Sequence, residues 1–310
     1  MALLLFPISA PAKDWLRLFA AEMPELEVRT LDNLGDPADI DVVAVGHNTP
    51  KGTVAKLPRL QLIASLMAGQ EFLLNDPTLP KDIPIVRTGE PDGDVMMNET
   101  ALMHVLRHHK YMPEFALAQQ RHEWKQMPRL RADERRVGVM GLGLIGLAIA
   151  KMLRDHGFKV AGWARKPRDV EGIEVYHGRD QLAAFMARSD IAVNLLALTK
   201  ETENFFNRDV FALLPKAAQF INLARGHHVV DADLIAALDS GQLLAATLDV
   251  FRQEPLPPES PLWAHPRITV MPHFSRRIDP ATIVPRICEN IRLLRAGRPL
   301  RYLVDREAGY

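Results

Sequence analysis

One stretch of this 310-residue chain constrains its fold more than any other: RVGVMGLGLIGLAIAKMLRDHG, which begins at Arg136. The apolar run VGVM leads directly into GLGLIG (Gly141–Gly146) and then into an amphipathic helical pattern. The run is too short for a membrane-spanning helix, which needs about 20 apolar residues. It therefore predicts a buried strand, a tight glycine turn and a helix, the repeating unit of a parallel α/β sheet.

Each glycine of this turn has its own geometric reason. Gly141 permits the tight turn, Gly143 lets a pyrophosphate approach the backbone, and Gly146 allows close packing of the helix on the strand. The anion would then lie on the unpaired amides of the helix that begins with Leu144 and Ile145. The alternative is an ordinary glycine-rich turn, but the flanking strand and helix favour a dinucleotide site.

The end of the second strand of this unit decides between the two nicotinamide dinucleotides. An acidic residue about 20 residues after the turn would hydrogen-bond the ribose 2′-hydroxyl of NAD. Here the strand ends in Trp163 and Ala164, followed by Arg165 and Lys166. These two cations would attract a 2′-phosphate, so we expect NADP(H) to be preferred over NAD(H), although a solvated basic turn is the alternative. Trp163, Arg165 and Lys166 become candidate cofactor-binding residues.

Short apolar runs alternate with amphipathic runs through most of the chain, which predicts repeated strand–helix units. After Arg136 the strand candidates are VGVM, KVAGW, IAVNLL, QFINLA, LLAATLDV and RITVM, followed by a last helix over Ile283–Ala296. In the first part of the chain, a helix over Ala12–Glu22, a loop at GEPDGD (Gly89–Asp94) and one long helix from Val95 to Gln120 are expected. The strand candidates there are Ala2–Phe6, Val42–Val45, Leu60–Leu66 and Ile83–Arg87.

The pattern predicts an α/β fold of two doubly wound parallel-sheet, Rossmann-like domains. A dinucleotide-binding domain over residues 99–281 is inserted into a substrate (catalytic) domain made of residues 1–98 and 282–310.

Charge and cysteine content exclude several partners. Lys plus Arg and Asp plus Glu both number 38, so the formal net charge is zero. Nucleic acid and membrane surfaces both favour a basic excess, so neither is expected as a partner. Cys288 is the single cysteine, which allows no intramolecular disulfide and indicates a reducing, cytoplasmic environment. The apolar start, MALLLFPISA, lacks a basic region and is expected to be a buried strand rather than a signal peptide.

Three later segments place ionisable groups at or just beyond the carboxyl ends of strands. FINLARG carries Arg225, LDVFRQEPLP carries Glu254, and TVMPH ends in His273. A guanidinium can hold the carboxylate and carbonyl of a 2-keto acid together, and an imidazole can donate a proton near neutral pH. A carboxylate beside the imidazole stabilises its charged form. Taken singly, each residue is as well explained by a surface charge, a solvated acid or a turn.

These segments, together with GLGLIG, strongly resemble the D-2-hydroxyacid dehydrogenases, and within them the glyoxylate/hydroxypyruvate reductase branch. The resemblance covers nearly the whole chain and is strongest from Gly141 to Pro272. It implies NADP(H)-dependent reduction of small 2-keto acids, such as glyoxylate and hydroxypyruvate, to 2-hydroxy acids. Arg225 matches the arginine that binds substrate, Glu254 the acid that supports the histidine, and His273 the proton donor. Arg225 and His273 would then face both cofactor and substrate.

Other site residues are implied by the same resemblance. Ala68, Gly69 and Gln70 match a loop whose amides hold the substrate carboxylate, although an ordinary strand-to-helix turn is the alternative. Further candidates for contact with the cofactor lie at matching strand ends: Leu195, Leu196, Leu223, Ala224 and Asp249.

A homodimer is also implied, with residues 95–125 as the arm. Trp124 resembles a tryptophan near the dimer contact, with a buried core position as the alternative. His227 and His228 are expected to be loop residues near the cofactor, and no metal site is expected because no metal-ligand spacing accompanies them.

Two points stay open in the sequence. Phe274-Ser275-Arg276-Arg277 follows the proton donor where the family usually has small residues, so the substrate range is in doubt. Two alternatives to a small-acid reductase also stand. One is a corepressor-like protein that senses nicotinamide dinucleotides with little turnover. The other is a reductase of bulkier keto acids such as phenylpyruvate.

Overall fold

The computed structural model describes residues 2–88 and 95–309. Its contacts divide the chain into two compact units, Met1–Gly89 with Arg277–Tyr310, and Glu90–Arg276. The predicted loop GEPDGD lies outside the described residues. The predicted boundaries, 1–98 with 282–310 and 99–281, stay a prediction, because the units are defined by contacts and not by what they bind.

The first unit is built on a five-stranded parallel sheet in the order β2-β1-β3-β4-β5. Its elements before the second unit begins are β1 (Ala2–Leu5), α1 (Ala12–Glu22), β2 (Glu27–Arg29), β3 (Ile40–Val45), β4 (Leu62–Ser65), α2 (Glu71–Leu74) and β5 (Ile85–Arg87).

Both faces of this sheet are covered, as parallel sheets require. Every residue of β1, β3 and β4 is buried. Leu3 packs with Trp15 and Phe19 of α1 on one face, whereas Leu4 packs with Leu57 on the other. The alternation follows from the two-residue period of a strand.

The second unit is built on a seven-stranded parallel sheet in the order β12-β11-β10-β9-β6-β7-β8. Its elements are α3 (Val95–His109), α4 (Met112–Gln120), β6 (Arg136–Met140), α5 (Leu144–Asp155), β7 (Lys159–Ala164), β8 (Glu174–His177), α6 (Leu182–Ala187), β9 (Ile191–Asn194), α7 (Arg208–Ala212), β10 (Ala218–Asn222), α8 (Asp231–Asp239), β11 (Leu243–Leu248), α9 (Pro261–Ala264) and β12 (Ile268–Val270). The chain then returns to the first unit, where α10 (Pro280–Arg295) packs against α1.

The strand order of the second unit reverses direction at β6. From β6 the chain builds outward through β7 and β8, then crosses back to place β9 on the other side of β6. Ligands of open parallel sheets bind outside the carboxyl ends of the strands at such a reversal. The predicted doubly wound fold class is confirmed, and the crevice is expected between the ends of β6 and β9.

Two strands and one helix break were not predicted. Strands β2 and β8 lie at sheet edges and contain no fully buried residue, so they carry no apolar run that the sequence pattern could show. The expected single helix from Val95 to Gln120 is wrong. It divides at Tyr111, whose backbone is left-handed (φ 55°), immediately before the first turn of α4. Pro113 in that turn lacks an amide hydrogen and favours a helix start over continuation.

Candidate active site

The glycine turn has the geometry that a bound pyrophosphate requires. A Cβ on Gly146 would lie 1.8 Å from the Gly141 carbonyl oxygen, so only glycine allows the helix to pack this closely on the strand. A Cβ on Gly143 would meet nothing within 4 Å, so open space lies over this residue. Gly143 is also the N-cap of the 12-residue helix α5 and provides no side-chain cap. Leu144 and Ile145, half-buried in the first turn, present their backbone toward that space.

The turn after β6 is in close contact with the end of β9. Gly141 has a left-handed backbone (φ 95°), and a Cβ there would lie 2.6 Å from the carbonyl oxygen of Leu195. Leu195 is half-buried and Leu196 is buried. These two predicted cofactor residues therefore line the β6–β9 crevice, where the strand order reverses.

The basic residues after β7 lie beside the same turn. Register pairs Met140 of β6 with Trp163 of β7, so the chain leaves β7 next to the glycines. Arg165 and Lys166 are exposed there. The indole of Trp163 is buried and donates its Nε1 hydrogen to the carbonyl of Gly178 at 3.0 Å, so its ring is part of the core.

Arg168 belongs to the same basic segment and was not predicted. Its guanidinium donates a hydrogen bond to the carbonyl oxygen of Leu142, within the glycine turn. The bond ties the loop after β7 to the turn after β6. The sequence shows that Arg168 lies two residues beyond Lys166 in a basic segment. It does not show that this segment lies close to the glycine turn in the fold.

Arg225 leaves the carboxyl end of β10 on a closely packed loop. A Cβ on the next residue, Gly226, would lie 1.9 Å from the carbonyl carbon of Phe251 and 2.3 Å from the amide nitrogen of Arg252. Gly226 therefore lets the Arg225 loop cross the loop that leads to Glu254. Arg225 itself is half-buried, and its Nη1 donates to the carbonyl of Ala224 at 2.7 Å. The loops after β10 and β11 are in contact, so residues far apart in the sequence lie close together in the fold.

Glu254 and His273 form a direct pair. The distance from His273 Nδ1 to Glu254 Oε2 is 2.7 Å, and the amide of Phe251 donates to Glu254 Oε1 at 2.9 Å. The side chains of His273 and Glu254 are 50% and 35% exposed. Because Nδ1 faces the carboxylate, Nε2 is the nitrogen of His273 left to meet a substrate.

The electrostatics of the pair favour a charged imidazole beside a carboxylate. The hydrogen bond with Glu254 is the main cause that raises the pKa of His273, and burial opposes it. Burial alone would raise the pKa of Glu254, but the hydrogen bonds from His273 and Phe251 outweigh it and the net pKa is lowered. The charge of Arg225 lowers the pKa of both Glu254 and His273. The predicted cation, carboxylate and proton donor lie on the loops that follow three neighbouring strands, β10, β11 and β12.

Asp249 holds the loop that carries His273. Its carboxylate accepts hydrogen bonds from the amides of Phe274 (2.7 Å) and Ser275 (3.0 Å), and its carbonyl accepts one from the amide of His273 at 2.8 Å. His273 has a left-handed backbone (φ 52°), which non-glycine residues adopt only where surrounding contacts compensate. Asp249 was predicted to contact the cofactor. The structure shows it 1% exposed, with both carboxylate oxygens bonded to backbone amides of this loop.

Leu223 and Ala224 are buried directly after β10, between Asn222 and Arg225. The predicted cofactor residues Leu195, Leu196, Leu223 and Ala224 therefore lie on two adjacent strand ends, since β9 pairs with β10.

The predicted carboxylate loop lies in the first unit, after β4 and before α2. Ala68 is exposed, Gly69 half-buried and Gln70 buried. The Gln70 side chain turns back and donates to the carbonyl of Met67 at 2.9 Å. Within the part of the chain that the structure describes, the backbone amides of these three residues donate to no other protein group. They have the donors that a carboxylate needs.

The residues after His273 differ widely in exposure. Phe274 is 66% exposed, Ser275 is buried, and Arg276 is half-buried. In the first unit, Arg277 pairs with Asp279 at 3.2 Å. The side chain beside the predicted proton donor, His273, is therefore an exposed aromatic ring.

Trp124 is 94% exposed, so the alternative of a buried core position is wrong. Among residues 2–88 and 95–309, no group of three His, Cys, Asp or Glu side chains is arranged to hold a metal ion. Within the same described ranges, no helix has the length and apolar character needed to cross a bilayer.

The chain matches one family model and many curated relatives. The model of the D-isomer specific 2-hydroxyacid dehydrogenase NAD binding domain matches residues 102–275. Glyoxylate/hydroxypyruvate reductase A of Serratia proteamaculans (strain 568) is 37% identical over 305 residues, which cover 96% of each chain. The protein of the same name from Yersinia enterocolitica is 34% identical over 304 residues, again 96% of each chain.

Solved structures agree with these relatives. A D-isomer specific 2-hydroxyacid dehydrogenase from Xanthobacter autotrophicus Py2, in complex with NADPH and MES, is 42% identical with a TM-score of 0.94, covering 100% of this chain and 99% of that one. An NADPH-dependent glyoxylate/hydroxypyruvate reductase from Sinorhizobium meliloti, in complex with NADP and sulfate, is 33% identical with a TM-score of 0.90 and full coverage of both chains. The predicted resemblance and enzyme class are confirmed, and the chain belongs to the D-isomer specific 2-hydroxyacid dehydrogenase family.

Proposed function

We propose that this protein uses NADPH to reduce a small 2-keto acid, glyoxylate or hydroxypyruvate, to the 2-hydroxy acid. The observation that carries the proposal is the 2.7 Å bond between His273 and Glu254, with the charge of Arg225 acting on both. The names of the most similar relatives support the choice of substrate. The product is expected to be the D (R) acid where it is chiral, and achiral glycolate from glyoxylate.

In this proposal each group has one task. Arg225 holds the carboxylate and the carbonyl oxygen of the keto acid through its planar guanidinium. Protonated His273 donates from Nε2 to the carbonyl oxygen as negative charge develops there. Glu254 keeps Nδ1 occupied and the ring charged. The dinucleotide, when bound, supplies the hydride.

The cofactor would be held by the second unit alone. The open space over Gly143 and the amides of Leu144 and Ile145 fit a pyrophosphate. Exposed Arg165 and Lys166 would bind the 2′-phosphate and account for a preference for NADP(H) over NAD(H). The indole of Trp163 would shape the crevice from the core, since its N–H is already bonded to Gly178.

The loop formed by Ala68, Gly69 and Gln70 is proposed to bind the substrate carboxylate as well. Ala68, Gly69 and Gln70 have backbone amides without protein acceptors among the described residues, which supports their role as donors to the substrate carboxylate.

Steady-state kinetics test the proposal directly. Oxidation of NADPH and NADH would be followed with glyoxylate, hydroxypyruvate, pyruvate and phenylpyruvate. We expect the highest kcat/KM for NADPH with glyoxylate or hydroxypyruvate. Tight NADPH binding without turnover of any of the four acids would contradict the proposal and favour the nicotinamide-sensing alternative. A preference for phenylpyruvate would favour the reductase of bulkier acids.

We also propose that the protein is a cytoplasmic homodimer that associates through residues 95–125. Large apolar side chains are exposed along this segment: Val95, Met103, Met112, Phe115 and Trp124. A second copy would remove this surface from water. Sedimentation of the wild-type chain and of Trp124→Ala tests this, with a dimer expected for the first and weaker association for the second. A monomer at all concentrations would contradict it.

A further inference from the structure

Three polar side chains lie completely buried beneath the Arg225 loop. Asn194 ends β9, Asn222 ends β10, and His228 ends the short 3₁₀ turn Gly226–His228. Each is 0% exposed. Buried polar groups are costly unless they are hydrogen-bonded, so their partners indicate what they hold in place.

The hydrogen bonds among the three fix the position of each proton. Asn194 Oδ1 accepts from the amide of Leu196 at 3.1 Å, so Asn194 Nδ2 is the donor end. This Nδ2 lies 3.0 Å from Asn222 Oδ1 and 3.0 Å from His228 Nδ1. Because Nδ1 accepts, His228 carries its proton on Nε2, which faces the carbonyl of Ala197 at 3.3 Å.

The network ends on the backbone of Arg225. Asn222 Nδ2 donates to the carbonyl of Arg225 at 3.0 Å, and Asn222 Oδ1 accepts from the amide of Ala224 at 3.1 Å. The segment from which the guanidinium departs is therefore held by Asn222. Asn222 is in turn oriented by Asn194, and Asn194 by the imidazole of His228.

We propose that His228 is a positioning residue that acts through Asn194 and Asn222 to orient Arg225 toward the 2-keto acid. The inference rests on the proposed function, since it assumes that Arg225 binds the substrate. The groups proposed to hold the dinucleotide most tightly, at Gly143 and Arg165, belong to other strand ends. A displaced Arg225 therefore weakens keto acid binding more than it weakens NADPH binding.

Two variants separate the two bonds of the ring. His228→Asn keeps an acceptor near Nδ1 for Asn194 and loses the donor to Ala197, whereas His228→Gln keeps a donor near Nε2 and loses the acceptor. His228→Leu loses both. His108→Leu is the matched control. His108 is also fully buried, but its Nε2 bonds to Thr247 Oγ1 at 2.9 Å, and its ring takes no part in the hydrogen bonds that reach Arg225 through Asn194 and Asn222.

The measurements are KM and kcat for glyoxylate at saturating NADPH, the NADPH dissociation constant by fluorescence, and Tm. We expect His228→Leu and His228→Gln to raise the KM for glyoxylate about three- to tenfold, the factor that one neutral hydrogen bond is worth. His228→Asn should keep a KM near that of wild type. In the leucine and glutamine variants the loss of NADPH affinity should be smaller than the rise in the KM for glyoxylate. His108→Leu should lower Tm without changing KM.

A wild-type KM in His228→Leu together with a lowered Tm would overturn the inference, because His228 would then only support the core. If the leucine variant does not fold, the asparagine and glutamine variants decide. A raised KM in His228→Asn with a normal KM in His228→Gln would overturn the inference, because the bond to Ala197 would then matter instead. A wild-type chain that binds NADPH but turns over no 2-keto acid would overturn the proposed function first.

Discussion

The two halves of the seven-stranded sheet present their ligand groups in opposite ways. On the β10–β12 side, the ring of His273 is hydrogen-bonded to Glu254. Asp249 accepts hydrogen bonds from the amides of the two residues after His273. On the β6–β8 side, Gly143 faces open space, and Arg165 and Lys166 are exposed. The first region is fixed by internal hydrogen bonds before any ligand arrives, and the second is shaped to accept a large charged ligand.

This difference in hydrogen bonding fits the tasks proposed for the two regions, proton transfer and dinucleotide binding. Proton transfer needs a donor held in one position, since small displacements of reacting groups cost much of the rate. Binding of a dinucleotide spreads over many contacts, each of which can adjust. Changes on the β10–β12 side should therefore lower kcat, and changes on the β6–β8 side should alter cofactor affinity.

The largest effect is expected at the proposed proton donor. His273→Ala removes the imidazole proposed to deliver the proton, so kcat should fall by about 10²–10⁴-fold. The NADPH dissociation constant, measured by fluorescence, should change little, because the glycine turn and basic loop are untouched. A variant that keeps kcat within a few-fold of wild type would remove His273 from the chemistry.

A smaller loss of kcat is expected when Asp249 is replaced. The variant distinguishes support of the His273 loop from contact with the cofactor. Asp249→Asn replaces one acceptor oxygen by a donor that faces a backbone amide, so the His273 loop loses a charge-assisted bond. We expect kcat to fall about 10- to 100-fold and Tm to fall as well. An unchanged kcat with a raised KM for NADPH would instead place Asp249 at the nicotinamide.

Cofactor preference should depend on the β7 loop. Arg165→Ala and Lys166→Ala each remove a proposed 2′-phosphate partner, so the ratio of kcat/KM for NADPH to that for NADH should fall about tenfold in each variant. Turnover at saturating NADPH should stay normal. Arg179→Ala, at an exposed arginine just after β8, is the control and should leave the ratio unchanged. An equal loss in all three variants would argue for a general charge effect.

The smallest effect is expected at Arg168, which ties the basic loop to the glycine turn. Its guanidinium bonds to a backbone carbonyl of that turn, so Arg168→Ala should weaken NADPH and NADH by the same factor, about threefold. Titration of both coenzymes measures this. Weakening of NADPH alone would show that Arg168 binds the 2′-phosphate.

The sequence predicted those parts of the site that lie in short local patterns. The glycine turn, Arg225, Glu254 and His273 each lie at or just beyond the end of an apolar strand, and strand ends of a parallel sheet lie at one edge. Their positions were therefore visible before the structure. The sheet order and the contact of Gly226 with Phe251 were not, because they join segments far apart in the chain.

The remaining features depend on tertiary hydrogen bonds that no local pattern records. Asp249 was identified, but its bonds to Phe274 and Ser275 were not. The burial of His228 was likewise missed, since histidine in a loop carries no signal for an enclosed position. Edge strands β2 and β8 were missed for a different reason: none of their residues is fully buried, so the apolar run that marks a buried strand is absent.

We infer that Glu254 keeps His273 charged so that it can donate a proton, and the pH dependence of kcat in the wild type and in Glu254→Gln shows whether it does. The hydrogen bond with Glu254 raises the pKa of His273, so reduction should proceed at low and neutral pH and fall as pH rises through that pKa. Glu254→Gln removes the carboxylate, and the fall in kcat should then begin at lower pH than in the wild type. Superimposable profiles for the two proteins, or a wild-type rate that stays flat into alkaline solution, would contradict the account.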